Sequence, residues 1–534
     1  MSKDNFFGRE SYLDILGKRV SALKDGYRQN IAFIGNDQAG KTSIIHRFLN
    51  NFLDNRFILL YAEARTESLP SFCRRFAGVL LYNFLGSSGK PIKEDLEFLM
   101  DKSEVYIPKT VSRIRSLLLE AGRRKKENVF GELLGLTNII HQETGKFCVV
   151  IIDEFQNLES MGVKSLYKEW AQRLMLEKST MFVITSSCPY KAQAILSRDL
   201  ALLFGNFEVI NVEPFDIRSS LEFLKLRLAN TNIKEEYRNF LVNFTGGCPF
   251  YLEILSQALN KIPQPGLVDV LEELIFSSSG ILNQKFTGYL NRFQESPFGS
   301  DCLSILHLIS VGQNKIKDIA HILKKPVKLV NFRVNFLLSC DAIVRSGDFL
   351  KISDRVFAFW LKFVYQEKLQ ALTFDSLNQK NLFRKNIEMM LSEFLSSAQK
   401  PVSERLTEVL KLFSDERIQI ERKKVTLNRF REIKPLDFSG GKALKHGLIC
   451  RSGESLWIFA FNPDVLTEED ISEFSRECKK YRNKPQKKII VTLRDIDANS
   501  RLKAFEEKVW TWDLNNLNQM MDVFSKPRII SCEK

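Results

Sequence analysis

The residues best suited to chemistry form a glycine-rich loop near the start of the chain. The segment from Gly35 to Thr42 reads Gly-Asn-Asp-Gln-Ala-Gly-Lys-Thr and matches G-x-x-x-x-G-K-[ST] at every fixed position. Glycines let successive backbone N–H groups point inward around an anion, the lysine reaches the β- and γ-phosphates, and the threonine hydroxyl can ligate Mg²⁺. The loop predicts a triphosphate site formed by Gly35, Asn36, Asp37, Gln38, Ala39, Gly40, Lys41, Thr42 and Ser43.

An acidic pair follows an apolar run later in the chain. Phe147 to Ile152 is continuously apolar, as expected of a central parallel strand, and Asp153 and Glu154 come directly after it. An aspartate there can hold Mg²⁺ through water, and the adjacent glutamate can polarise the attacking water. The alternative is a turn with two solvated charges. We predict metal contacts from Thr42 and Asp153, with catalytic roles for Lys41 and Glu154.

A third apolar run, Met181 to Ile184, ends in Thr185, Ser186 and Ser187. If this strand lies beside the one before Asp153, one of these hydroxyls could contact the γ-phosphate or the attacking water. A simple turn or helix cap explains the same residues equally well.

The flanking residues indicate how the glycine-rich loop is positioned. Asn30 to Ile34 is a short apolar run of strand type, and apolar residues after Thr42 recur at helical spacing. Strand, loop and helix in this order are the context that a phosphate-binding loop requires. An ordinary glycine turn with a solvated lysine is the less favoured alternative.

Composition limits the class of protein. The chain has 534 residues, which at roughly 150 per domain suggests three or four domains. Hydrophobic residues make up 44%, and 42 phenylalanines need burial, so disorder is excluded as the main state. No apolar run approaches the roughly 20 residues that span a bilayer, no secretory signal is evident, and nine scattered cysteines suit a reducing compartment. We expect a cytoplasmic protein without membrane association.

The motifs in their order resemble those of archaeal-type ATPases, which are grouped with the signal-transduction and origin-recognition branches of the AAA+ class. The resemblance rests on Phe7 to Glu10, the glycine-rich loop, the acidic pair, Ile210 to Phe215, and Thr245 to Leu252. It implies ATP and Mg²⁺ as cofactors. It further implies that Arg9 flanks the base, that Ser186 is the sensor of the fourth strand, and that Pro249 is a lid contact near the adenine.

One departure concerns an arginine. The family usually carries Gly-Arg before the fifth strand, whereas this chain has Gly205 and Asn206. If that arginine stabilises charge in trans, its absence lowers the expected hydrolysis rate. Arg198 could substitute, although an isolated arginine at such a position is more often a surface residue.

A second module follows near residue 301. Three helical patterns end near Leu338, and Ala342 to Ile352 reads as a two-stranded hairpin, which together predict a winged helix. Its third helix would meet DNA through the cations Lys324, Lys325, Lys328 and Arg333. The helix is also strongly apolar, so internal packing is the alternative.

The last part of the chain resembles the restriction-endonuclease-like domain that many archaeal-type ATPases carry. Such a nuclease holds Mg²⁺ with an Asp on one strand and Glu-x-Lys on the next. Here Trp457 to Asn462 contains neither an acid nor a lysine, and His446 and Gly447 stand where the Asp is expected. We therefore expect a non-cutting relative. Basic residues within 417–434 and 479–488 form either a phosphate-facing surface or a solvated one, as does the run at 123–126.

These observations predict an α/β protein with a P-loop parallel-sheet ATPase core at residues 1–215. A helical lid at 216–295, a winged helix at 296–365, a helical linker at 366–415 and an α/β nuclease-like domain at 416–534 follow. The predicted function is a Mg-ATP-binding and hydrolysing switch that couples nucleotide state to binding of DNA, a protein partner or a second copy. The alternative is a hydrolysis-poor, nucleotide-gated DNA-binding or scaffold protein, and a small-molecule kinase is disfavoured.

Overall fold

The computed structural model describes residues 6–87, 95–122, 128–163, 165–201, 206–261, 266–296, 298–366, 376–420, 423–438, 444–481, 486–493 and 496–530. The chain forms two compact units. The first contains Met1–Phe215 together with two short later segments, Cys248–Phe250 and Ser339–Asp341. The second contains the rest of the chain, and the two units are described separately.

The first unit is built on a five-stranded parallel sheet with the strand order β2-β3-β4-β1-β5. Its three central strands are almost fully buried, because helices cover both faces. In chain order the elements are α1 (Glu10–Leu23), β1 (Asn30–Ile34), α2 (Lys41–Asn51), β2 (Phe57–Glu63), α3 (Leu69–Ser87), α4 (Leu96–Glu104), α5 (Pro108–Ala121), α6 (Val129–Thr144), β3 (Phe147–Asp153), a 3₁₀ helix (Phe155–Met161), α7 (Leu166–Leu176), β4 (Thr180–Ser186), α8 (Pro189–Arg198) and β5 (Phe207–Asn211).

The strand order determines where the candidate chemistry meets. Ile34 at the end of β1 pairs with Ser186 at the end of β4, and Glu63 at the end of β2 pairs with Asp153 at the end of β3. Because all strands run in parallel, their carboxyl ends share one edge of the sheet. The glycine-rich loop, the acidic pair and the Thr-Ser-Ser segment therefore lie along the same edge.

The second unit begins with helices and continues into two hairpins. In chain order these elements are α9 (Ile217–Arg227), α10 (Glu235–Thr245), α11 (Pro249–Lys261), α12 (Leu267–Leu271) with a π-helical turn (Glu272–Phe276), α13 (Ile281–Gln294), α14 (Gly299–Ser310), α15 (Ile316–Ile322), α16 (Val327–Ser339), β6 (Ile343–Ser346), β7 (Phe349–Ile352), α17 (Arg355–Trp360) with a second π-helical turn (Leu361–Tyr365), α18 (Ser376–Ala398), α19 (Val402–Leu410), β8 (Glu416–Ile420) and β9 (Lys423–Leu427). The pair β6–β7 forms the hairpin that the sequence predicts at 342–352.

A mixed five-stranded sheet with the order β10-β11-β12-β13-β14 follows. Strands β10 to β12 are antiparallel, whereas β12 to β14 are parallel and connected by helices. The elements are β10 (Glu432–Asp437), β11 (His446–Arg451), β12 (Leu456–Asn462), α20 (Glu468–Cys478), β13 (Gln486–Thr492), α21 (Ala498–Glu506), β14 (Val509–Trp512) and α22 (Leu514–Val523). The chain thus combines a parallel-sheet core, a helical region and a mixed sheet.

The turn of the β6–β7 hairpin is held by β8. The Asp348 N–H donates to the Arg417 carbonyl at 2.9 Å, and the Asp348 carboxylate accepts from the Arg417 backbone N–H at 2.8 Å. Gly347 has φ +65° and lies so close that a Cβ atom there would overlap the Arg417 carbonyl. The turn is therefore an internal packing surface.

A buried carboxylate joins several elements of the second unit. The Asp522 side chain is only 2% exposed and forms ion pairs with three cations, Lys351, Arg355 and Arg528. These four residues are called the Asp522 cluster below. The surrounding cations hold the pKa of Asp522 well below its usual value although burial acts in the opposite direction. The cluster connects β7 and α17 to α22.

No helix within the described ranges is both long and apolar enough to cross a membrane.

Candidate nucleotide site

The glycine-rich loop places Lys41 at the first position of α2. Gly40 precedes the helix with φ +95°, a backbone conformation that L side chains rarely adopt. The Lys41 ammonium is 4% exposed and donates to the carbonyl oxygens of Gly35 at 3.0 Å and Asn36 at 2.8 Å. Burial lowers the pKa of Lys41, while the nearby carboxylates oppose that effect. A helix amino terminus and a buried ammonium thus converge on the loop, as an anion site requires.

Asp153 lies directly opposite this loop. It is 2% exposed, and within the described residues its carboxylate accepts hydrogen bonds from three hydroxyl groups. The Thr42 hydroxyl donates to Oδ2 at 3.0 Å, the Tyr61 hydroxyl donates to the same oxygen at 2.7 Å, and the Thr185 hydroxyl donates to Oδ1. The structure therefore brings the predicted metal residues Thr42 and Asp153 into direct contact.

Glu154 is held in a defined position beside Asp153. Its backbone has φ +54°, and its N–H donates to the Thr185 hydroxyl at 3.2 Å. Its Oε2 atom accepts from the Ser187 N–H at 2.9 Å, from the Ser187 hydroxyl at 2.7 Å and from Gln156 Nε2 at 2.5 Å. A carboxylate next to the predicted metal residues is thus present, with one of its two oxygens already engaged.

The hydroxyl that the resemblance assigned to the sensor role has different partners. Ser186 is fully buried, and its hydroxyl accepts from the Cys188 N–H at 3.0 Å and donates to the Cys188 carbonyl at 3.3 Å. Its neighbours Thr185 and Ser187 contact the acidic pair instead, because successive residues of a strand point to opposite sides. The sensor role that the resemblance implies for Ser186 stays a prediction.

Arg9 supports the loop from the side. Its guanidinium donates to the Ala39 carbonyl at 3.0 Å and to the Glu213 carbonyl at 2.6 Å, and it lies 4.7 Å from the centre of the Phe215 ring. These contacts connect the loop to the segment after β5. The role beside a base that the resemblance implies for Arg9 stays a prediction.

Pro249 is the first residue of α11 and belongs to the segment Cys248–Phe250 of the first unit. The Cys248 thiol donates to the Gln38 carbonyl at 3.8 Å, so this segment contacts the glycine-rich loop. The adenine contact implied for Pro249 stays a prediction. The other late segment of the first unit ends in Asp341, whose carboxylate accepts from the Tyr190 N–H at 3.1 Å.

Asn206, at the position of the missing arginine, and Arg198, its possible substitute, take no part in the contacts described above. Arg198 ends α8 with a side chain that is 76% exposed and paired with its neighbour Asp199 at 3.0 Å. The Asn206 carbonyl accepts from Gln29 Nε2 at 3.2 Å, while Gly205 lies outside the described residues. Arg198 is thus accessible at the surface of the first unit.

Two of the four cations predicted to meet DNA are used inside the second unit. Lys325 and Arg333 both form ion pairs with Asp301, and the Arg333 guanidinium lies 3.6 Å from the centre of the Phe298 ring. Lys324 and Lys328 are exposed. Lys325 and Arg333 are thus engaged in ion pairs, and contact of this helix with DNA stays a prediction.

The last sheet has the apolar interior that the sequence predicts. Strand β12 is buried and carries no acid or lysine, and Gly447 on β11 pairs with Ala460 on β12. Asp437, which pairs with His446 across β10 and β11, is exposed, and its Oδ1 lies 2.8 Å from His446 Nδ1. Of the basic runs, 123–126 and 482–485 lie outside the described residues.

Sequence reasoning missed Tyr61, Gln156 and the part played by Ser187. Of these, Tyr61 could have been noticed in the sequence, since it is a polar aromatic residue in a strand that is otherwise apolar from Phe57 to Ala62. Its partner Asp153 is 92 residues away in the chain, so the contact depends on the strand order.

Comparisons with known proteins agree with this geometry. A family model described as an ATPase domain predominantly from Archaea matches residues 6–255. An uncharacterised ATP-binding protein of Methanocaldococcus jannaschii is 26% identical over 267 residues, which cover 46% of this chain and 68% of the relative.

Two solved structures are also similar. The Walker-type ATPase of Pyrococcus abyssi is 19% identical with a TM-score of 0.47, covering 67% of this chain and 97% of its own. The ORC2 protein of Aeropyrum pernix is 10% identical with a TM-score of 0.40, covering 73% and 98%. The conclusion rests on the family match and the site: residues 6–255 are similar to an ATPase domain found predominantly in Archaea, and the protein is an ATPase.

Proposed function

We propose that this ATPase domain binds and hydrolyses Mg-ATP at the edge of its parallel sheet, and that nucleotide state controls binding of DNA or a protein partner by the rest of the chain. The observation that supports this most directly is the meeting of the phosphate loop and the acidic pair. The Thr42 hydroxyl contacts Asp153 Oδ2 at 3.0 Å, and Glu154 is the next residue. These groups could act on one bound triphosphate.

The residues fit Mg²⁺. The hydrogen-bond donors to the buried carboxylate of Asp153 in the described chain are neutral hydroxyls, and the Lys41 ammonium is the cation close enough to attract it. A divalent cation would compensate its charge further. Carboxylate, hydroxyl and water oxygens are the ligands that this ion prefers. Thr42 and Asp153 would hold it, and when bound it would neutralise charge on the β- and γ-phosphates.

The protein's own residues would supply the remaining steps. Lys41 would exchange its bonds to the Gly35 and Asn36 carbonyls for phosphate oxygens, and the loop N–H groups would bind the same anion. Glu154 would orient and polarise the attacking water through Oε1, because Oε2 is engaged by Ser187 and Gln156.

The two late segments of the first unit offer a route for coupling. Cys248 contacts the carbonyl of Gln38 in the loop, and Asp341 contacts the start of α8, which follows the Thr-Ser-Ser segment. If nucleotide binding moves the loop, the segments that contain Cys248 and Asp341 would transmit the movement to the helices and strands that precede and follow them in the chain. The lid, winged-helix and non-cutting nuclease-like assignments belong to this proposal.

A second candidate is a nucleotide-gated DNA-binding or scaffold protein with little hydrolysis. It is favoured by Asn206, which stands where the resemblance expects an arginine. If Arg198 completes the nucleotide site of a second copy of the chain, the hydrolysing ATPase is favoured. If it does not, the candidate with little hydrolysis is favoured. A salt titration of DNA binding with and without ATP tests the DNA version, since phosphate contacts make affinity fall with salt. Affinity that responds to neither salt nor nucleotide would exclude DNA as the partner.

The main test is Mg-ATP turnover by Lys41→Ala and Glu154→Gln, with the exposed Lys18→Ala as the matched control. General-base catalysis contributes about 10²- to 10⁴-fold, so Glu154→Gln should lose at least about 100-fold while it still binds ATP. Lys41→Ala should lose binding as well. Equal rates in all variants would refute the proposed function.

A further inference from the structure

The phenol of Tyr61 makes the shorter of the two contacts to Asp153 Oδ2. The O–O distance is 2.7 Å for Tyr61 and 3.0 Å for Thr42. The phenol O–H is the donor in this bond.

The sheet holds Tyr61 in this position. Strand β2 pairs with β3 so that Tyr61 lies opposite Ile151, two residues before the end of the strand, and the long side chain reaches Asp153 diagonally. On its other side the ring is 5.0 Å from the ring of His46 on α2. The phenol thus lies between the metal carboxylate and the helix that begins at the phosphate loop.

The number of hydroxyl groups that donate to Asp153 determines how many of its acceptor positions remain for a metal-bound water. A carboxylate has about four acceptor positions. In Asp153 three of them are taken by the hydroxyls of Thr42, Tyr61 and Thr185. Two donors on one oxygen and one on the other fix the plane of the carboxylate. One acceptor position is then left for a metal-bound water.

We propose that Tyr61 is a positioning residue for the metal-nucleotide complex, which it serves by fixing the orientation of Asp153. The inference rests on the proposed function, because it takes Asp153 as the carboxylate that holds Mg²⁺. Tyr61 itself touches neither metal nor nucleotide in this role. Partners of this kind typically contribute 10- to 100-fold to metal affinity.

The test is Tyr61→Phe in the full-length protein, which removes the hydroxyl and keeps the ring. Tyr167→Phe is the matched control, because the Tyr167 hydroxyl is buried in the same unit with no hydrogen-bond partner in the described chain. Binding of a fluorescent ADP is titrated with Mg²⁺, and Mn²⁺ binding to the ADP complex is followed by electron paramagnetic resonance. Melting curves restrict the comparison to temperatures at which each variant is folded.

We expect Tyr61→Phe to raise the Mg²⁺ and Mn²⁺ concentrations for half-saturation about tenfold, with ADP binding in EDTA unchanged. Turnover at saturating Mg²⁺ should fall much less. Half-saturation equal to that of Tyr167→Phe, or equal losses in EDTA and in Mg²⁺, would overturn the positioning role.

A parallel measurement on Lys41→Ala separates this inference from the proposed function. If Lys41→Ala binds nucleotide like the parent protein, the proposed site is wrong. If it loses nucleotide while Tyr61→Phe behaves like the control, the site is right and only the role of Tyr61 fails.

Discussion

Glu177 places a titratable carboxyl group inside the first unit, where pH should control stability. Its side chain is 3% exposed. Oε2 accepts from the Thr137 hydroxyl at 3.2 Å, and Oε1 lies 3.9 Å from an Arg173 nitrogen without a hydrogen bond. Burial outweighs the nearby arginines and raises the pKa of Glu177 from its ordinary 4.5 to about 7.

The sign of the effect follows from proton uptake. Between pH 4.5 and about 7 the folded protein keeps this proton while the unfolded chain has lost it, so unfolding releases a proton. The contribution of Glu177 to stability is therefore fully present below pH 4.5 and is lost as pH rises through about 7. At 1.36 kcal/mol for each pH unit, the loss amounts to about 3 kcal/mol.

Glu177→Gln should remove this dependence, because the amide resembles the protonated acid. We expect the variant to exceed the parent at pH 8 by up to about 3 kcal/mol in the free energy of unfolding and to match it near pH 4.5. Scanning calorimetry from pH 4.5 to 8 measures the difference. In a unit of this size that free energy raises the melting temperature by several degrees.

The matched control is Glu169→Gln. Glu169 is also buried, but its carboxylate accepts from the backbone of Asn128 and Gly131 and from the Ser165 hydroxyl. Replacing it disturbs satisfied bonds and should lower stability by about 1–3 kcal/mol. A Glu177→Gln protein that is less stable than the parent at pH 8, or a difference that does not grow with pH, would refute the reasoning.

Two further predictions concern the second unit. Asp522→Asn should cost about 3–5 kcal/mol of unfolding free energy by denaturant titration, because it leaves the cations of the Asp522 cluster without their carboxylate. Asp437→Asn, at an exposed position, should change the free energy of unfolding by less than about 0.5 kcal/mol. Equal losses in the two variants would contradict the burial of the Asp522 cluster. Gly347→Ala should expose the β6–β7 turn and β8 to faster hydrogen exchange, because its Cβ would overlap the Arg417 carbonyl. Gly17→Ala has free space around its added Cβ and should leave hydrogen exchange in the turn and in β8 unchanged. Similar exchange rates in both variants would argue against the packed turn.

The sequence by itself determined the ATPase domain and predicted the residues at the centre of its candidate site. Lys41 and Thr42 belong to one contiguous motif, and Asp153 and Glu154 follow a recognisable buried strand. Such features are encoded within a few neighbouring residues, because a phosphate loop requires fixed residue types at fixed spacing. The apolar character of β12 could also be predicted, because it is a property of a few neighbouring residues.

Only the tertiary structure decided which other side chains meet these residues. Tyr61 contacts Asp153, Ser187 rather than Ser186 contacts Glu154, and Lys325 pairs with Asp301. Each of these contacts depends on strand order or on the direction in which a side chain leaves its strand or helix. Local sequence does not fix either property, because both are set by the packing of segments far apart in the chain.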